Sequence, residues 1–131
     1  MIAVDASALS AFVLREEGWR NLAGYLANAV ALDHVVVEVT NAVWRAARTS
    51  ALTEEESRKA FNLLLRIVGR NIVLEPELKY LDETFRISLI YGITVYDALY
   101  VALALKRNLP LLTLDEGQKR MAGTLGIHVK P

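Results

Sequence analysis

Residues 94–115 read TVYDALYVALALKRNLPLLTLD. The apolar run from Ala98 to Leu105 is closed by Asp97 and Lys106. So short a run cannot cross a bilayer, which takes roughly 20 apolar residues, and it predicts a buried helix over 94–107 instead. Thr94 and Asp97 stand at capping-box spacing, with Asp in place of Glu. The stretch 109–114 then predicts a short buried strand. Asp115 with Gln118 repeats the capping pattern and opens the next helix.

The same alternation extends outward. Ile2-Ala3-Val4 predicts a buried strand that runs into a helix at Asp5 and Ser7. Leu9 to Leu14 continue that helix, and helical spacing recurs at Trp19, Leu22, Ala23 and Leu26. Ala31-Leu32 predicts a second strand, and 35–48 a helix. Thr53 and Glu56 form a capping box ahead of Phe61, Leu64, Leu65 and Val68. Residues 71–74 predict a strand closed by Pro76, and 78–91 a helix that stops near Gly92. After Asp115 a helix ends near Gly123 or Gly126, and 127–129 predicts the last strand. Short apolar strands alternating with helices imply an α/β fold around a parallel sheet of four or five strands. Ligands of such sheets sit beyond the carboxyl ends of the strands, near a topological switch point.

Composition narrows the chemistry. The chain has 131 residues, 53% of them hydrophobic, and no cysteine. That length suits one domain, 1–131, with no linker or repeat inside it. Zinc ribbons, thiol catalysis and a disulfide framework are excluded. Mean hydropathy is high, at +0.27, which predicts apolar surface left for a partner. No basic start precedes the first apolar residues and Asp5 interrupts them, so a signal peptide is not expected and the chain reads as cytoplasmic. Fifteen Lys+Arg balance 15 Asp+Glu, unlike the strongly basic surface of a general nucleic-acid binder.

Four acids fall where the chemistry should be. Asp5 follows the first strand and Asp115 the 109–114 strand. Asp97 lies in the first turn of its helix. Glu38 interrupts the run Val35-Val36-Val37-Glu38-Val39, with Asn41 and Arg45 following on its helical face. Taken singly, each acid reads as readily as a helix cap or a solvated residue. Brought together they would repel one another and raise their pKa values. A hard divalent cation relieves that repulsion. Mg²⁺, or Mn²⁺, takes one or two carboxylates together with waters and phosphate oxygens. Only His34 and His128 offer imidazole, which leaves zinc poorly supported. An all-carboxylate site suits phosphoryl transfer or phosphodiester hydrolysis.

Four segments together resemble the PIN-domain family, specifically VapC-type toxins of toxin–antitoxin pairs. They are Ile2 to Leu9 with Asp5 and Ser7, Glu38 to Val43 with its Glu-x-x-Asn, Tyr96 to Ala104 with Asp97-Ala98, and Leu111 to Asp115 with its Thr-x-Asp. Gly126 to Val129 is similar to the closing strand. The resemblance covers essentially the whole chain. It implies a three-layer α/β/α sandwich and a metal-dependent ribonuclease site. Asp5, Glu38, Asp97 and Asp115 match the acidic quartet, supported by Ser7, Asn41 and Thr113. It further implies RNA as substrate, a homodimer, and a small antitoxin whose tail covers the acidic groove. One departure bears on metal number: Glu116 and Gly117 follow Asp115 where some members carry a further acid.

Other residues receive plainer readings. Arg45 is a candidate contact to RNA phosphate, with Arg15 and Arg20 weaker candidates. Tyr96 and Tyr100 are expected to pack, and His34 and His128 to be ordinary turn and strand residues. Trp44, Phe61, Leu64, Leu65 and Tyr91 are core candidates, some of which could line an interface. Two other functions compete. An aspartate-based phosphatase or receiver-like protein would want a second acid near Asp5 and a late lysine, but Ala6 and Ser7 follow Asp5 and no such lysine is well placed. A non-catalytic PIN-like scaffold would not need the intact acid set. Gathering four of the 15 acids in one groove leaves 11 elsewhere against 15 Lys+Arg, a mildly basic remainder.

Overall fold

The computed structural model describes all 131 residues. The chain runs β1 (Ile2–Val4), α1 (Ala6–Val13), α2 (Arg20–Leu26), β2 (Ala29–Leu32), α3 (His34–Arg48), α4 (Glu54–Ile67) and β3 (Ile72–Glu75). A 3₁₀ turn, Glu77–Tyr80, leads into α5 (Leu81–Tyr91), followed by α6 (Val95–Arg107), β4 (Leu111–Leu112), α7 (Glu116–Thr124) and β5 (Val129–Lys130). All five strands are parallel, in the order β3-β2-β1-β4-β5. The chain builds outward from β1 to β3, then returns to add β4 on the other side. With right-handed crossovers, that reversal puts α1–α4 on one face and α5–α7 on the other. The result is a three-layer α/β/α sandwich whose switch point lies between β1 and β4.

Local sequence explains where the elements begin and stop. Thr53 and Glu56 cap α4 reciprocally, and the Thr53 donors hold the Glu56 carboxyl below its usual range. Gly92 closes α5 in the left-handed region at φ 69°, and Asn108 closes α6 at φ 52°. Every residue of α6 from Ala98 to Ala104 is buried, against β1, β2 and β4 on the sheet side and α5 and α7 laterally. This is the apolar run that set the fold class. Glu75, at the end of β3, accepts from Tyr80 Oη at 2.6 Å and from Lys79 Nζ at 3.3 Å, and also pairs with Arg107. It ties the 3₁₀ turn and the end of α6 to the sheet.

The differences from the sequence reading have physical reasons. The strand expected over 109–114 is only Leu111–Leu112. It stops because the Leu114 N–H donates to Ser7 Oγ, 2.9 Å away, rather than to a neighbouring strand. Of the core candidates, Leu64 is buried and Phe61 half-buried, but Trp44, Leu65 and Tyr91 are exposed. The buried stripe of α3 is Val35, Val39 and Val43, and Trp44 lies about 100° round the helix from Val43. Tyr100 packs as expected, whereas Tyr96 is 72% exposed, because the first turn of α6 stands clear of the core. No single helix is long and apolar enough to cross a membrane.

Candidate active site

Asp5 sits one residue past β1 and Thr113 one residue past β4, side by side at the switch point. Their strands are in register there: the Asp5 N–H donates to the Leu112 carbonyl at 3.2 Å. Asp5 is wholly buried. Its Oδ1 accepts from Ser7 Oγ at 2.7 Å and from the Ala8 N–H at 3.0 Å, which also caps α1. Thr113 Oγ1 donates to its Oδ2 at 2.5 Å. Thr113 Oγ1 in turn accepts from the Asp115 N–H at 3.0 Å, and Asp115 Oδ2 caps α7 through the Gln118 N–H at 2.8 Å. Thus Asp5, Ser7, Thr113 and Asp115 form one hydrogen-bonded unit drawn from both ends of the chain. Capping and clustering are performed by the same carboxylates.

Burial pushes the Asp5 carboxyl above its ordinary range. The donors Thr113, Ala8 and Ser7 pull it back, and the charge of Asp115 raises it again. A buried acid facing another acid is short of positive charge, and Oδ2 retains an unused lone pair after accepting from Thr113. The available donors are all hard oxygens, which suits Mg²⁺ or Mn²⁺. No three of the acids stand close enough to share an ion among themselves. The residues present therefore fit a cation that takes one or two carboxylates directly and fills its remaining positions with water and substrate oxygens.

The other two acids are placed differently. Asp97 is exposed in the first turn of α6; its backbone N–H donates to Thr94 Oγ1 at 3.2 Å, while its carboxylate has no hydrogen-bond or ion-pair partner. Glu38 is half-buried on α3, and the Tyr100 hydroxyl donates to its Oε1. His34 Nε2 lies 3.9 Å from the same oxygen, and His34 Nδ1 3.4 Å from Glu77 Oε2. His34 is thus the first residue of α3 beside an acid of the quartet rather than an ordinary turn residue. Burial, with the Glu38 charge adding to it, holds the Tyr100 hydroxyl protonated far above its usual range. Asn41 and Arg45 are exposed further along α3. A cavity of about 700 Å³ lies elsewhere, lined by Leu14, Arg15, Leu52, Lys59, Leu63 and Arg66 among others, and none of the four acids lines it. Sequence spacing does not point to the Tyr100–Glu38 contact; its one signal is that Tyr100 follows Asp97 by one helical turn.

The PIN domain family model matches residues 2–124. Ribonuclease VapC3 of Pyrobaculum aerophilum is 35% identical over 117 residues, covering 87% of this chain and 88% of the relative. Ribonuclease VapC1 of Mycobacterium tuberculosis is 34% identical over 69% of this chain and 62% of its own length. Exonuclease VapC9 of P. aerophilum is 34% identical over 86% and 78%. Among solved structures, PAE2754 from P. aerophilum superposes with a TM-score of 0.73 at 25% identity, covering 98% of this chain and 82% of that one. FitAcB from Neisseria gonorrhoeae superposes at 0.63 over 100% and 97%, and at 17% identity that likeness bears on the fold alone. With its sequence relatives among the VapC ribonucleases, the chain belongs to the PIN-domain family.

Proposed function

We propose that this PIN domain is a divalent-metal-dependent endoribonuclease, the toxin of a type II toxin–antitoxin pair, acting in the cytoplasm. The observation that carries the reading is the buried Asp5, bound by Ser7 and Thr113 and facing Asp115 at the switch point of the sheet. Asp5 and Asp97 would hold Mg²⁺ or Mn²⁺ most directly. Asp115 and Glu38 complete the site, through water or a second ion. When bound, such a cation supplies an acidified water as nucleophile and offsets charge on the phosphate. Ser7 and Thr113 fix the Asp5 carboxylate, and Asn41 supports the α3 side of the site. Arg45, exposed in the last turn of α3, is assigned to RNA phosphate.

Two partners belong to this reading. A small antitoxin masks the acidic groove. A second copy of the chain pairs with it through the 3₁₀ turn and the outer face of α5, where Leu78, and then Phe85 and Leu89, are exposed at helical spacing.

The test is cleavage of a mixed RNA pool with Mg²⁺ or Mn²⁺, with a chelator and Asp97→Asn as controls. Cleavage is expected to need the metal and to be lost in the variant. Activity that persists in chelator would sink the metal mechanism. A circular RNA separates endonuclease from exonuclease, since only an internal cut opens it. No cleavage, together with no Mn²⁺-dependent rise in melting temperature, would favour a non-catalytic scaffold.

A further inference from the structure

We propose that Tyr100 is a positioning residue of this site: its buried hydroxyl fixes the orientation of the Glu38 carboxylate and leaves Oε2 free to serve the metal or its waters. The inference rests on the nuclease reading above and deepens it. Tyr100 is 1% exposed, on the helix whose first turn carries Asp97 and one turn beyond that residue. Glu38 is on α3, in the opposite layer of the sandwich and 62 residues away in sequence. Their hydrogen bond therefore spans the carboxyl edge of the sheet, from one helical layer to the other. Asp5 is near enough for its charge to act on the same hydroxyl.

Glu38 has no other hydrogen-bond donor: His34 Nε2 stands 3.9 Å off, and beyond His34 lies another acid, Glu77. A half-exposed glutamate without a donor samples many rotamers, and ordering it costs entropy at each turnover. A buried tyrosine hydroxyl must find an acceptor somewhere. Here the acceptor is a member of the acidic quartet rather than a backbone carbonyl, and only one of its two oxygens is engaged. Partners of this kind, one bond removed from a metal, set the direction of the groups that touch it.

Tyr100→Phe keeps the ring and removes only the hydroxyl. Measured beside Glu38→Gln and the double variant, it is expected to lower kcat for RNA cleavage by about 10–100-fold with little change in KM. The double variant should be no worse than Glu38→Gln alone, because both changes disable one unit. Calorimetric titration of the RNA-free protein with Mn²⁺ should show the two single variants losing affinity to a similar extent. Additive kcat losses with a lowered melting temperature in chelator would make Tyr100 merely structural and overturn the proposal. So would wild-type kcat and Mn²⁺ affinity in Tyr100→Phe. A wild-type protein that neither binds Mn²⁺ nor cleaves RNA overturns the nuclease reading and this inference together. Intact wild-type behaviour with an indifferent Tyr100→Phe overturns this inference alone.

Discussion

Asp5 carries two duties that conflict in the metal-free protein. It caps α1 and accepts from Thr113, which favours the charged carboxylate, yet it is wholly buried beside Asp115. Its folded pKa is raised above 3.8. Between 3.8 and that raised value the native state binds more protons than the unfolded chain, so stability falls as pH rises through the window and stays lower above it. Asp5→Asn removes the buried charge while keeping shape and most hydrogen bonds. In chelator at neutral pH the variant is expected to melt above wild type, and the gap should close below pH 3.8; it should also be unable to cleave RNA. A variant that melts lower at neutral pH would show that the hydrogen bonds outweigh the burial of charge. Asp5, Asp97 and Asp115 stand out in the sequence because each follows a strand or opens a helix, and Glu38 because it interrupts a run of valines. Tyr100 does not, because its polar partner lies on an element that sequence spacing cannot bring to it.

At the scale of the element, α7 shows how a site shapes the helix that serves it. Gly117 lies in its first turn, and a Cβ there would stand 3.2 Å from Asp115 Oδ2. That oxygen cannot easily yield, since the Gln118 N–H holds it. An alanine would ordinarily gain the helix about 0.5–1 kcal/mol over glycine. Gly117→Ala is therefore expected to separate two readouts, with RNA cleavage reduced while the melting temperature does not fall. Full activity with a higher melting temperature would mean that the carboxylate has room to move. In the sequence Gly117 marks only the place where a further acid is missing; its contact with Asp115 depends on the turn that the cap imposes. Helix existence was readable from apolar spacing and caps. Strand β4 was overestimated because Leu114 continues the apolar pattern while its N–H turns away to Ser7. Trp44 reads as core in the sequence because a helix of mixed Val and Ala offers two adjacent apolar faces, and only packing selects one.

Across the whole molecule, the surplus apolar residues are not spread evenly. Leu78, Leu81, Phe85 and Leu89 follow the helical repeat along the 3₁₀ turn and α5, exposed by 77, 39, 58 and 68%. A continuous stripe of this kind is unfavourable in water and is stabilised by burial against a like surface. On the proposed pairing the wild-type chain sediments as a dimer, and Phe85→Lys with Leu89→Lys is expected to give a folded monomer in sedimentation velocity, with its circular dichroism unchanged. A wild-type chain that sediments as a monomer would free this face for the antitoxin instead. The parallel sheet has a consequence of another kind. The bond from Thr113 to Asp5 joins residues 108 apart, and β1 acquires its β4 neighbour only when Leu111 and Leu112 exist. A ribosome making this chain supplies Asp5 108 residues before Thr113, and Asp115 later still. No nascent product that stops short of Thr113 holds the bond that fixes Asp5, so the carboxyl edge at the switch point is completed by the later part of the chain and not by the earlier.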